Sequence, residues 1–91
     1  MVDLDERELG RLLWRCRRGM RELDELLRGY LEREFRSASR TDQDAFRRLL
    51  EASDEQIHAY CLGSTPPPAP ELAVLIDRIL ASAAGAAAGR C

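Results

Sequence analysis

The strongest periodic pattern in the chain lies between residues 20 and 35. Apolar side chains recur there at helical spacing, at Leu23, Leu26, Leu27, Tyr30, Leu31 and Phe35. This spacing places them on one face of a helix from Met20 to Phe35, about 24 Å long at ~1.5 Å per residue. Such a helix is stable in water mainly when its apolar face is buried against other elements. The pattern therefore predicts a packed helical protein, and no segment shows the alternation typical of strands.

The length of the chain limits what this helix can pack against. With 91 residues, there is room for one small domain with a thin core. No apolar stretch approaches the ~20 residues that span a bilayer. The acidic segment from Val2 to Glu6 is also unlike the basic start of a signal peptide. We therefore expect a cytoplasmic protein without membrane insertion.

A first helix is expected ahead of this one. Asp3 or Asp5 can cap its start, and its inner face would consist of Leu9, Leu12, Leu13 and Cys16. We expect it to end at Gly19, because glycine adopts the positive φ of a helix C-terminus without steric cost.

Start and stop signals predict two more helices in the middle of the chain. Thr41 with Asp44 is a variant of the capping box and would open a third helix. Ser53 with Gln56 repeats the signal and would open a fourth. Gly63 is expected to close the fourth helix.

The prolines between residues 66 and 70 exclude a helix over most of that run. Pro70 itself suits the first turn of a fifth helix, which we expect to end near Leu80. From Ala81 the sequence consists mostly of alanine, serine and glycine. The prediction is thus an all-α fold, a compact bundle of about five short helices in a single domain. Residues 1–80 would form the domain and residues 81–91 a flexible tail.

The basic residues are unevenly distributed. The net charge is −2, all basic residues are arginines, and six lie in the first quarter of the chain: Arg7, Arg11, Arg15, Arg17, Arg18 and Arg21. The planar guanidinium fork suits bidentate contacts with carboxylates or phosphates, so the cluster is a candidate docking surface. A nucleic-acid partner is the weaker interpretation, because the chain is acidic overall and acidic residues interrupt the cluster.

Residues that commonly carry out catalysis are sparse. Cys16, Cys61 and Cys91 lack the paired spacing of a zinc site. The one histidine, His58, has no Ser, Cys or Asp placed to form a triad with it. There is no glycine-rich phosphate loop. We therefore expect no catalytic residues, no metal site and no stably bound cofactor.

The stretch from Trp14 to Asp24 contains an R-G-x-x-E element at Arg18, Gly19 and Glu22. In its setting of W-x-C-R-R-G-M-R-E-L-D, it resembles the signature of the FAD assembly factor SdhE family. The mitochondrial members of that family are known as succinate dehydrogenase assembly factor 2.

Later parts of the chain are similar to the same family. Residues 46–51, together with Asp54, resemble its F-x-R-L-L-E-x-x-D segment, and residues 57–63 resemble the helix and glycine that follow. The beginning of the last helix, at Glu71, also corresponds in position. Tyr60 is a departure, because the family usually has tryptophan there.

The resemblance implies that the protein is not itself an enzyme. Members of the family bind the flavoprotein subunit of succinate dehydrogenase, and in bacteria that of fumarate reductase. They promote covalent attachment of FAD to a histidine of this client. By position, the client-binding residues would be Arg18, Gly19 and Glu22, flanked by Arg17, Met20, Asp24 and Trp14. A free monomer is the simplest state for such an adaptor.

Two alternatives stay open beside this expectation. Arg18 could offer its donors to a client, and Glu22 could accept hydrogen bonds from one. In an unbroken helix, however, these two residues would be four apart and could form an exposed ion pair without any partner. The chain could also be a small helical adaptor or an antitoxin-like regulator with a different partner.

Overall fold

A computed structural model of the protein describes the backbone of residues 6–89 and the side chains of residues 7–85. Within that range the chain forms five α-helices, with one short 3₁₀ helix at Phe35–Ser37. The α-helices are α1 (Glu6–Arg15), α2 (Arg21–Arg33), α3 (Arg40–Leu49), α4 (Asp54–Leu62) and α5 (Pro70–Gly89). The described residues contain no strand. The predicted all-α, single-domain fold is confirmed.

Helix α2 forms the centre of the bundle and packs extensively against α5, which also covers α3. Its apolar face is buried as the sequence predicts, with Leu23 and Leu27 fully inaccessible. The helix ends at Arg33, two residues before the predicted end, and Phe35 begins the 3₁₀ turn while remaining buried. The ring of Phe46 on α3 lies 5.3 Å from that of Tyr30 and 5.4 Å from that of Phe35, centroid to centroid. This aromatic cluster joins α2 to α3.

The ends of α4 confirm two sequence signals. Ser53 and Gln56 form a reciprocal capping box, in which each side chain accepts a hydrogen bond from the other's backbone N–H. Gly63 closes the helix at φ +80°.

The predicted start of α3 was wrong. Its N-cap is Ser39, whose hydroxyl accepts a hydrogen bond of 3.1 Å from the backbone N–H of Asp42. Thr41 instead lies inside the helix and is exposed. Both residues precede an aspartate by three positions, but Asp42 is buried and paired with Arg78 of α5, whereas Asp44 pairs with Arg47 on the surface. The tertiary ion pair favours the earlier of the two possible starts.

The connection between α1 and α2 differs from the prediction in length. Helix α1 ends at Arg15, and Gly19 lies four residues later at φ +87°. The positive φ of Gly19 is confirmed, but its position at the end of α1 is not. The proposed caps of α1, Asp3 and Asp5, lie outside the described residues.

Helix α5 is longer than expected. The sequence placed its end near Leu80, and that boundary was wrong, since the helix continues to Gly89. Alanine has the highest helix propensity, which favours this continuation. The Nε atom of Arg33 on α2 also donates a hydrogen bond of 3.0 Å to the hydroxyl of Ser82. The division into a domain and a flexible tail from residue 81 stays a prediction.

Among the helices of residues 6–89, none combines the length and the apolar character needed to cross a membrane.

The N-cap of α3 can be tested with a matched pair of substitutions. Ser39→Ala should lower the free energy of unfolding by about 1 kcal/mol, because it leaves a backbone N–H of the first turn without its acceptor. Thr41→Ala should leave it nearly unchanged, since alanine suits an exposed helical position. Urea unfolding followed by circular dichroism measures both. A larger loss from Thr41→Ala would contradict the assignment.

Candidate functional site

The residues predicted to bind a client lie at the end of α1, in the connection to α2 and in the first turn of α2. We call this region the corner (residues 14–24). The structure divides them into two groups. Trp14, Arg17, Gly19 and Glu22 are exposed to solvent, whereas Arg18, Met20 and Asp24 are partly buried. The exposed group can meet another molecule, and the partly buried group builds the corner itself.

Arg18 is the main connection between the corner and the bundle. One of its guanidinium nitrogens, Nη1, donates hydrogen bonds to the carbonyl oxygen of Ala52 at 3.1 Å and to a carboxylate oxygen of Asp54 at 3.3 Å. The other, Nη2, donates to the carbonyl oxygen of Leu50. Only 14% of the Arg18 side chain is exposed. Arg18 thereby ties the corner to the turn between α3 and α4.

The backbone at Arg18 is held as well. Its N–H donates a hydrogen bond of 2.6 Å to a carboxylate oxygen of Asp24 on the first turn of α2. Arg18 and Asp24 are therefore engaged within the chain, which differs from the expectation that the guanidinium is free for a client. The alternative ion pair between Arg18 and Glu22 is not formed either, because the guanidinium pairs with Asp54.

In the exposed group, an aromatic ring and a charged guanidinium lie next to each other. Two thirds of Trp14 is accessible, and the guanidinium carbon of Arg17 lies 5.0 Å from the centre of its ring system, within cation–π range. Next to them an open cleft of about 550 Å³ separates α1 from α2, bordered by Leu13, Asp24 and Arg28 among others. Tryptophan and arginine are the residue types that most often dominate binding energy at protein interfaces.

Glu22 and Gly19 complete this surface. Glu22 is an exposed acid in the first turn of α2, where the positive end of the helix dipole stabilises its charge. A Cβ atom added at Gly19 would meet nothing within 4 Å. The space above Gly19 is therefore open to a partner, and its φ of +87° is what requires glycine there.

A second tether supports α1, and sequence reasoning did not identify it. The Arg47 guanidinium of α3 forms a forked ion pair with Glu8 of α1, at 2.9 and 3.3 Å. This hydrogen bond raises the pKa of Arg47. The two residues are far apart in sequence, so no local pattern could have paired them.

Of the two cysteines with described side chains, Cys16 is buried and Cys61 is partly buried. Burial raises the pKa of the Cys16 thiol to about 12 and also raises that of Cys61. Both thiols are thus protonated at neutral pH and are poor nucleophiles. In the part of the chain that the structure describes, no group of three or more His, Cys, Asp and Glu side chains is placed to hold a metal ion.

These features define a class: a small all-α protein that exposes an aromatic and charged corner among its described residues. Comparison with known proteins identifies the family. The family model described as "Flavinator of succinate dehydrogenase" matches residues 10–83. The chain is 40% identical over 72 residues to the FAD assembly factor SdhE of Methylococcus capsulatus, covering 79% of this chain and 87% of that relative. It is 37% identical over 76 residues to that of Shewanella oneidensis, covering 84% and 93%. The chain therefore belongs to the flavinator family, and the resemblance seen in the sequence is confirmed.

The role of Arg18 inside the chain leads to a prediction about stability. Arg18→Ala should lower the free energy of unfolding by ~2–3 kcal/mol, because buried carbonyl oxygens and Asp54 lose their donors. Arg15→Ala removes an equally charged but exposed side chain and should change it by less than ~0.5 kcal/mol. Urea unfolding measures both. If Arg18→Ala were as stable as the wild type, the guanidinium would not be the tether described above.

Because the Cys16 thiol is buried, we expect the free energy of unfolding to fall at alkaline pH. Its pKa is higher in the folded than in the unfolded chain, so its contribution to stability is complete below pH 9 and is lost as pH rises toward about 12. Between pH 9 and 10 the unfolding free energy should fall less steeply in Cys16→Ala than in the wild type. Urea unfolding at several pH values in this range measures the slope. Equal slopes would contradict the burial of this thiol.

Proposed function

We propose that this protein is an assembly factor that binds the flavoprotein subunit of succinate dehydrogenase and promotes covalent attachment of FAD to a histidine of that client. The flavoprotein subunit of fumarate reductase is the second candidate client. Membership of the flavinator family supports the proposal. The structural observation that carries it is the corner, in which Arg18 is held internally while Trp14, Arg17, Gly19 and Glu22 remain exposed.

The corner is suited to binding a client without a large conformational change of its own. Because Arg18 bonds to three groups of the α3–α4 turn, the corner is already ordered before a partner arrives. A preformed surface loses less conformational entropy on binding than a loop that must be ordered. The open space at Gly19 would admit the backbone of a client, and Glu22 beside it would accept hydrogen bonds from client N–H groups.

In this proposal the protein forms no covalent bond and is not an enzyme. The flavin and the client supply the chemistry of attachment. The contribution of this chain is to hold parts of the client in the arrangement in which FAD and the histidine meet productively. FAD is therefore treated as the client's cofactor and not as a resident group of this protein. We further propose that the factor acts in the cytoplasm as a monomer, since the corner has to stay free for the client.

The function is tested with the client from the same host. Covalent flavin on the flavoprotein subunit is measured by in-gel fluorescence after denaturation, in cells with and without the factor. We expect the signal to fall strongly in its absence and to return when the wild-type gene is restored. Unchanged covalent flavin without the factor would overturn the proposal.

Variants of the corner are tested by measuring their binding to the flavoprotein subunit. Gly19→Arg should abolish binding of the client, whereas Gly19→Ala, which shares the strain of a positive φ, should bind more strongly than Gly19→Arg. Glu22→Gln should weaken binding, and its matched control is Glu55→Gln, another exposed acid in a first helical turn. Circular dichroism confirms that each variant folds. Equal effects of Glu22→Gln and Glu55→Gln would exclude Glu22 from the docking surface.

A further inference from the structure

The outer face of α1 carries a row of arginines that the corner alone does not explain. Arg7, Arg11 and Arg15 are four residues apart and all three are exposed. On an α-helix this spacing aligns side chains along one side, with about 6 Å between neighbours along the axis at ~1.5 Å per residue. We call these three residues the arginine row. It lies opposite the buried face formed by Leu12 and its neighbours.

The arginine row has no carboxylate partner among the described side chains, a property it shares with Arg17, Arg33, Arg36 and Arg40 but not with the remaining described arginines. Arg21 pairs with Glu25 at 3.5 Å, and Arg28 pairs with Glu32 at 3.1 Å. Arg18 and Arg47 are likewise engaged. Among the side chains that the structure describes, none forms an ion pair with a member of the row. The one acid of α1 with a described side chain, Glu8, is itself turned to Arg47.

Trp14 connects this row to the corner. It occupies the same outward side of α1, three residues after Arg11, and it is widely exposed. Arg17 stacks on its ring. An exposed tryptophan bordered by arginines without carboxylate partners combines an apolar anchor with a charged rim, which is the composition expected of an interface centre.

We propose that the outer face of α1 is a second contact zone, which binds an acidic surface of the client with the arginine row facing carboxylates and Trp14 inserted between them. This inference rests on the proposed function and names the chemistry of the partner. Charge complementarity supports it, because three guanidinium groups that have no ion-pair partner among the described side chains lie on one face of a chain with a net charge of −2. The same net charge, with Glu22 and Glu25 exposed nearby, favours a protein carboxylate surface over the continuous phosphates of nucleic acid.

Salt dependence distinguishes this zone from the corner. Charged groups at the rim of an interface mainly accelerate association, and their effect is screened by salt. The double variant Arg11→Gln/Arg15→Gln should raise the Kd for the flavoprotein subunit without its flavin by about fivefold at low ionic strength. At about 0.5 M salt the difference from the wild type should nearly vanish. Surface plasmon resonance at several salt concentrations provides both the Kd and the association rate.

The matched control is Arg36→Gln/Arg40→Gln, which removes the same charge from exposed positions at the opposite end of α2. It should bind as the wild type does, and circular dichroism checks that both variants fold.

If the wild type binds the flavoprotein but the two double variants behave alike, the contact zone is wrong while the proposed function stands. If the wild type does not bind the flavoprotein, the proposed function fails and this inference fails with it. Tight, salt-dependent binding of a duplex oligonucleotide that is lost only in Arg11→Gln/Arg15→Gln would also overturn it.

Discussion

The structure depends on a cation held inside a very small bundle. The Arg18 side chain is six-sevenths shielded from water, and its Nε atom is buried without a hydrogen-bond partner among the described residues. Burial of a guanidinium is favourable only when other groups replace its hydration. Two carbonyl oxygens and the Asp54 carboxylate do so here. The same bonds fix the α3–α4 turn against the α1–α2 connection, so the fold and the docking corner share one tether.

The arginine cluster near the start of the chain therefore serves different purposes. Arg18 holds the corner together from inside, and Arg17 stiffens the exposed tryptophan by stacking on it. Arg21 pairs with a glutamate of its own helix. The arginine row faces solvent and remains available to a partner. The same residue type thus supplies internal structure, surface order and, in our proposal, recognition within about one sixth of the sequence. Only the three-dimensional surroundings distinguish these roles.

Much of the fold could be predicted from the sequence because its signals are local. The apolar spacing of α2, the capping box at Ser53 and the positive φ of Gly63 each depend on residues that lie close together in the chain. The prediction of a helix start was wrong where a contact between residues distant in the sequence determines the structure. Asp42 pairs with Arg78 across the bundle, so α3 begins after Ser39 and not at Thr41.

Prediction of the candidate site from the sequence is limited in the same way, by contacts between residues that are distant in the chain. The sequence predicts a docking site in one continuous stretch, through its resemblance to the motif of a known family, and that assignment stays a prediction. The sequence could not show that Arg18 points inward, because its acceptors lie more than thirty residues later in the chain. A buried arginine also contradicts the usual expectation that charged residues are exposed. The exposed members of the motif are therefore the ones to which we assign recognition.

We propose that the preformed corner and the adjoining outer face of α1, and not α4, meet the client. Hydrogen–deuterium exchange of the factor, alone and in complex with the flavoprotein subunit before flavin attachment, tests it most directly. Amides of α1 and the corner should exchange more slowly in the complex, while those of α4 should be unchanged. Slower exchange in α4 and α5, with no change between residues 14 and 24, would contradict it.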